Sequence, residues 1–134
     1  MKKSNSRQNE LEDFREQLRK LRQSKILIIV EGKKDKEALH KLRITNVVYY
    51  NKFPLYELVE RIQKKHNEVI ILADLDKEGK RIYSRLYSEL TWRGIRVKNE
   101  FREFLFKNTR LSQIEGIYNY YRRLENRSKS TTSP

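Results

Sequence analysis

The chain contains no cysteine. That removes a disulfide framework, a thiolate nucleophile and any cysteine-ligated zinc or iron–sulfur centre, and it fits a reducing, cytoplasmic setting. Long apolar runs are missing too. Ile26–Val30 and Val69–Ala73 are the longest, and both fall far short of the roughly 20 residues of a membrane span. The opening MKKSNSRQNE has no apolar core of the kind a signal peptide carries. Histidine is scarce: His40 and His66 stand alone without a ligand-spaced partner and read as surface or packing residues. Apolar residues make up only 37% of 134 positions, so the expectation is one domain of ordinary size with a modest core, cytoplasmic and without a membrane partner.

Positive charge is what the chain has in excess. Lysine and arginine total 31 against 18 acidic residues, a net charge of +13. Heat-adapted proteomes raise lysine and glutamate together; here the excess is one-sided and points to a polyanionic partner, nucleic acid foremost.

The acidic residues concentrate at one kind of place. Val69–Ala73 is an apolar, largely β-branched run that stops at Asp74 and Asp76, as expected of a strand covered on both faces and ending at a polar edge. Residues two apart on an extended chain face the same way, so both carboxylates can converge on one point. Two such anions require a raised pKa, a basic neighbour or a divalent cation, and hard ions such as Mg²⁺ take oxygen ligands. Ile26–Val30 repeats the arrangement, ending at Glu31, then Gly32, then a lysine-rich helical start. In an open parallel sheet the carboxyl ends of the strands share one edge, where Glu31, Asp74 and Asp76 would meet.

In chain order, residues 1–24 read as a tail and an amphipathic helix over Arg7–Gln23, with Leu11, Phe14, Leu18 and Leu21 on its inner face. Glu12 with Arg15, and Glu16 with Lys20, can pair on its wet side. Residues 25–99 alternate strand and helix: strand to Val30, helix Lys33–Arg43, strand Asn46–Tyr50, a turn at Phe53-Pro54, helix, the aspartate strand, a helix closed by Gly94, and a short strand Ile95–Val97. The fold class is α/β, an open, mostly parallel four-stranded sheet with helices on both faces and added N-terminal and C-terminal helices. Residues 100–127 form an aromatic and helical extension. Its Asn99–Lys107 part suits either irregular cover or a helical turn, and Ser112 with Glu115 has capping-box spacing. Residues 128–134, SKSTTSP, read as a disordered tail.

VEGKKD at Val30–Asp35 and ADLDKEGKR at Ala73–Arg81 resemble the two signatures of the Toprim domain, over about residues 25–98. That domain is shared by type IA topoisomerases, bacterial-type primases, overcoming-lysogenization-defect nucleases and the ribonuclease that matures small ribosomal RNA. The resemblance implies a Rossmann-like Toprim sheet. It also implies a Mg²⁺ site, with Mn²⁺ an alternative, on Glu31, Asp74 and Asp76, with Glu78 matching the extra acid of topoisomerases. Room for a topoisomerase's strand-passing domains or a primase's zinc-binding part is lacking, so the chain looks like a small stand-alone Toprim protein.

The expected chemistry follows from the residue types. Glu31, Asp74 and Asp76 are the catalytic candidates, in which Glu31 acts as general acid or base and a metal lowers the pKa of bound water. Lys33, Lys34, Lys77 and Lys80 would clamp flanking phosphates, and Lys77, Arg81 and Arg85 make a basic stripe at helical spacing. Trp92, Tyr83, Tyr87, Tyr118, Tyr120 and Tyr121 suit base stacking or helix packing, and their spacing favours packing. The expected function is a Mg²⁺-dependent nuclease or related phosphoryl-transfer enzyme, RNA favoured over DNA through the ribonuclease analogy. The alternative is a non-catalytic nucleic-acid-binding subunit of an RNA-processing or repair assembly.

Overall fold

The computed structural model describes residues 6–52 and 54–132. Helix α1 (Ser6–Ser24) precedes strand β1 (Leu27–Val30), helix α2 (Lys33–Lys41) and strand β2 (Val47–Tyr49). A single 3-10 turn, Tyr50–Lys52, leads to α3 (Leu55–Lys65), β3 (Glu68–Leu72), α4 (Lys77–Trp92) and β4 (Arg96–Val97). The extension comprises α5 (Glu100–Asn108), a 3-10 turn at Ile114–Gly116 and α6 (Ile117–Thr132).

All neighbouring strands pair in parallel, in the order β2-β1-β3-β4. The fold is therefore α/β and Rossmann-like. Alternation along β1 and β3 divides the core. Ile28, Val30, Ile70 and Leu72 face α1, α2, α5 and α6; Leu27, Ile29, Val69 and Ile71 face Leu58, Val59 and Ile62 of α3 and Leu86 and Leu90 of α4. Apolar runs without polar interruption are what a sheet covered on both sides requires. The chain leaves β1 for β2 on one side, while β3 lies on the other. The gap between β1 and β3 is thus the switch point at which such sheets bind ligands.

Phe14 ties α1 to the extension. Its ring meets Phe104 at 5.9 Å, Tyr120 at 5.4 Å and Tyr121 at 5.8 Å, and removing so large a buried aromatic typically costs about 3–5 kcal/mol.

Several expectations are corrected in detail. Of the two readings of Asn99–Lys107 the helical one holds, with shifted bounds: α5 runs Glu100–Asn108 behind Asn99 as N-cap, and Phe101 and Leu105 lie four residues apart on its buried face. The Ser112–Glu115 capping box does not form: Gln113 precedes the turn without a side-chain cap, and α6 begins at Ile117. The expected tail from Ser128 instead continues α6 to Thr132, with Ser128 buried. On α1, Glu16 bonds Arg19 at 2.6 Å, and Arg15 reaches across to Tyr121 and Glu125 on α6. Gly94 follows the α4 C-cap with φ +84, the left-handed conformation glycine adopts freely. Phe53, residues 1–5 and residues 133–134 lie outside the described residues.

Candidate active site

Val30 of β1 stands beside Leu72 of β3. Glu31 and Asp74 therefore leave adjacent strands at the same edge, and the first turn of α4 follows at once. Asp76 caps α4: its Oδ1 accepts the Gly79 N–H at 2.7 Å. Gly79 itself is forced by space. A Cβ there would lie 2.6 Å from the Asp74 carbonyl carbon and closer still to its oxygen, so only glycine lets the helix start rest on the Asp74 backbone.

Asp74 is held from a direction the local sequence does not show. Its Oδ1 accepts the N–H of Ile114 at 2.9 Å, and the neighbouring Leu75 N–H donates to the Ser112 carbonyl at 2.9 Å. The extension thus closes one wall of the site.

The carboxylates act on one another. Burial pushes the Glu31 carboxyl upward, and the charges of Asp74, Asp35, Asp76 and Glu78 push it further. Asp74 also rises, through burial and then Asp76 and Glu115, with the Ile114 N–H opposing. Asp35 rises by burial, against the Gly32 N–H that it accepts at 3.0 Å and with Asp74 and Glu115 adding repulsion. Desolvation and like charge both favour the neutral carboxyl.

Asp35, Glu115 and Tyr50 belong to this neighbourhood and were not among the expected site residues. Asp35 lies inside the VEGKKD segment and is readable there as a helix-start acid. Glu115 has no local signal, since its spacing from Ser112 imitates a cap. The Tyr50 hydroxyl is buried and has no hydrogen-bond partner among the described residues. Burial, followed by the charges of Glu31, Glu78, Asp74 and Asp35, raises its pKa well above that of a free phenol.

The basic candidates lie on the two helices that follow β1 and β3. Lys33 and Lys34 open α2, and Lys77, Lys80, Arg81 and Arg85 lie on α4, all exposed. Arg81 binds both oxygens of Glu78, at 2.9 and 2.8 Å. That pair is exposed and screened by solvent, but it engages the acid expected as a further metal ligand. A cavity of about 460 Å³ lined by Leu27, Val48, Leu58 and His66 runs along edge strand β2 and includes none of the acidic candidates.

Among the described residues, no three histidine, aspartate or glutamate side chains already converge as a metal cage. The donor set nevertheless fits a hard cation: Asp74 and Asp76 each commit only Oδ1 to a backbone amide, and mutual repulsion marks uncompensated charge. Mg²⁺ keeps several waters and is commonly held by one or two carboxylates plus substrate phosphate, so a closed protein cage is not required.

The Toprim domain model matches residues 26–108. The chain belongs to the Toprim family. A UPF0292 protein of Methanocaldococcus jannaschii is 35% identical over 97 residues, 69% of this chain and 76% of that protein. One from Pyrococcus furiosus is 32% identical over 117 residues, covering 84% and 87%. A solved structure of a protein from Aquifex aeolicus has a TM-score of 0.71 and 35% identity over 75% of this chain and 94% of its own. As a Toprim protein the chain has a nucleic-acid-related, metal-binding character, and α5 falls within the matched region. No helix among the described residues is long and apolar enough to cross a membrane.

Proposed function

We propose that this Toprim protein is a Mg²⁺-dependent phosphodiesterase that cleaves nucleic acid, RNA in preference to DNA, in the cytoplasm. What supports the reading is that Glu31, Asp74 and Asp76 follow the ends of the adjacent strands β1 and β3 at the switch point, near enough for the aspartate charges to act on Glu31, and that the two aspartates each keep an oxygen free. A divalent cation held there, Mg²⁺ or Mn²⁺, supplies charge neutralisation and polarisation of the phosphodiester. Asp74 and Asp76 are fixed by backbone amides, so their free oxygens are already oriented. The Glu31 carboxylate accepts no hydrogen bond from a described side chain, and its upward shift suits it to take a proton from attacking water and return one to the leaving oxygen. Lys33, Lys34, Lys77 and Lys80 offset the repulsion that this acidic edge exerts on a polyanion.

One observation favours a second reading. The same Oδ1 contacts are structural caps, and an accessory subunit docked to a larger RNA-processing or repair assembly would keep them without any chemistry. End-labelled structured RNAs and DNAs, incubated with Mg²⁺ and wild type, Glu31→Gln or Asp74→Asn, separate the two. Cleavage by wild type alone is expected; binding without cleavage by all three proteins would favour the accessory role.

A further inference from the structure

The loop that holds Asp74 begins with residues that line a cleft of about 870 Å³ between the end of α5, α6 and Glu10 of α1. We infer that this cleft is a second contact for nucleic acid, gripping the phosphodiester backbone beyond the acid site; this rests on the reading that nucleic acid is the partner.

Charge is the first argument. Lys107, Arg110, Arg123 and Arg127 line the cleft, with Glu10 its only acid. Arg127 meets Glu10 at 3.8 Å, whereas Lys107, Arg110 and Arg123 form no ion pair among the described residues. Gathering cations in a concavity costs self-repulsion that an evenly charged surface avoids, and a polyanion relieves it. Guanidinium groups match phosphate with paired hydrogen bonds, so three arginines in one groove suit a phosphodiester track better than an apolar ligand. Tyr120 lines the same cleft, held by its contact with Phe14 at 5.4 Å.

Continuity is the second argument. Thr109, Arg110 and Leu111 form one wall of the cleft. The next residue, Ser112, accepts the Leu75 N–H, and Ile114 donates to Asp74. One short loop therefore separates the basic groove from the acid site, and a strand bound in the groove is led to that edge. Arg110, Arg123 and Arg127 lie beyond the matched residues 26–108, and Lys107 alone of the four cations lies within them, so most of this contact comes from outside the matched domain.

The test is fluorescence anisotropy of a labelled single-stranded RNA and its DNA equivalent, in chelator and across a salt series. Wild type is compared with Arg110→Glu/Arg123→Glu and with Lys64→Glu/Lys65→Glu on α3, which changes the net charge equally. The groove variant is expected to lose about tenfold in affinity and to flatten the salt slope by about 1.4, the value for two lost phosphate contacts, while the α3 variant changes little. Equal losses in both variants would reduce the effect to net charge and overturn the groove, leaving the nuclease reading intact. Failure of wild type to bind either nucleic acid would overturn both. Arg110→Gln/Arg123→Gln, with thermal melting of each protein, repeats the comparison if the glutamate variant does not fold; its expected loss is smaller but in the same direction.

Discussion

Ile114 donates its backbone N–H to Asp74 Oδ1 at 2.9 Å across 40 positions of sequence. One oxygen of the carboxylate at the end of β3 therefore holds the extension, and the other accepts no hydrogen bond from a described residue.

Asparagine at position 74 keeps an acceptor for Ile114 but loses the charge. Asp74→Asn is expected to fold with a stability equal to or above wild type in chelator, since repulsion with Glu31 and Asp76 is relieved, and to lose metal-dependent cleavage. Asp74→Ala also strands the Ile114 N–H and should cost about 1–3 kcal/mol. Chemical denaturation of the two variants checks this; equal stabilities would remove the structural task from Asp74.

The two motif glycines are not equivalent. Gly79→Ala drives a methyl group into the Asp74 backbone, and a loss of about 3 kcal/mol or more is expected. At Gly32 the nearest atom to an added Cβ is Asn51 Nδ2 at 3.8 Å, an ordinary contact at an ordinary φ of −140, so Gly32→Ala should stay within about 0.5 kcal/mol. Urea melts of both variants read the difference directly.

Tyr50 offers a hydroxyl that no described residue accepts. Removing it breaks no protein hydrogen bond, so Tyr50→Phe is expected to melt at or above the wild-type temperature. A fall in turnover with unchanged stability would show that the hydroxyl serves a ligand oxygen; a clear drop in Tm would mean that it serves the fold.

Glu31, Asp35 and Asp74 are all shifted upward, so the folded state binds more protons than the unfolded chain between the ordinary carboxylate range and the raised values. Their contribution to stability is therefore lost as pH rises through the folded pKa values and recovered as pH falls toward about 4. In chelator, the Tm of wild type relative to Asp74→Asn should improve on acidification from neutral pH, and Mg²⁺ should flatten that difference. An unchanged difference with pH would contradict the repulsion inferred at this edge.

Much of this arrangement is legible in short stretches of sequence. Apolar runs ending in Glu31 and in Asp74 and Asp76 announce buried strands with an acidic edge, because burial on two faces leaves no polar position inside the run. Helices α1 and α3 follow from the spacing of Leu11, Phe14 and Leu18, and of Leu58, Val59 and Ile62. What escaped is what depends on distant chain. The Ile114 contact with Asp74, the approach of Glu115 and the isolated Tyr50 hydroxyl are products of packing the extension and β2 against the sheet edge. Ser112 and Glu115 mislead for the same reason: their spacing permits a local cap, but Ser112 instead supplies a backbone acceptor to Leu75 and Glu115 faces the acids. Similarly, Ser128 reads as tail by composition yet is buried on α6.

Calorimetric titration of Mg²⁺ or Mn²⁺ into metal-free wild type, Glu31→Gln, Asp74→Asn and Asp76→Asn tests most directly whether the carboxylates form one cation site. Saturable binding by wild type, abolished by either aspartate substitution and weakened by Glu31→Gln, is the predicted result. No saturable binding by wild type, or equal binding by all four proteins, would contradict it.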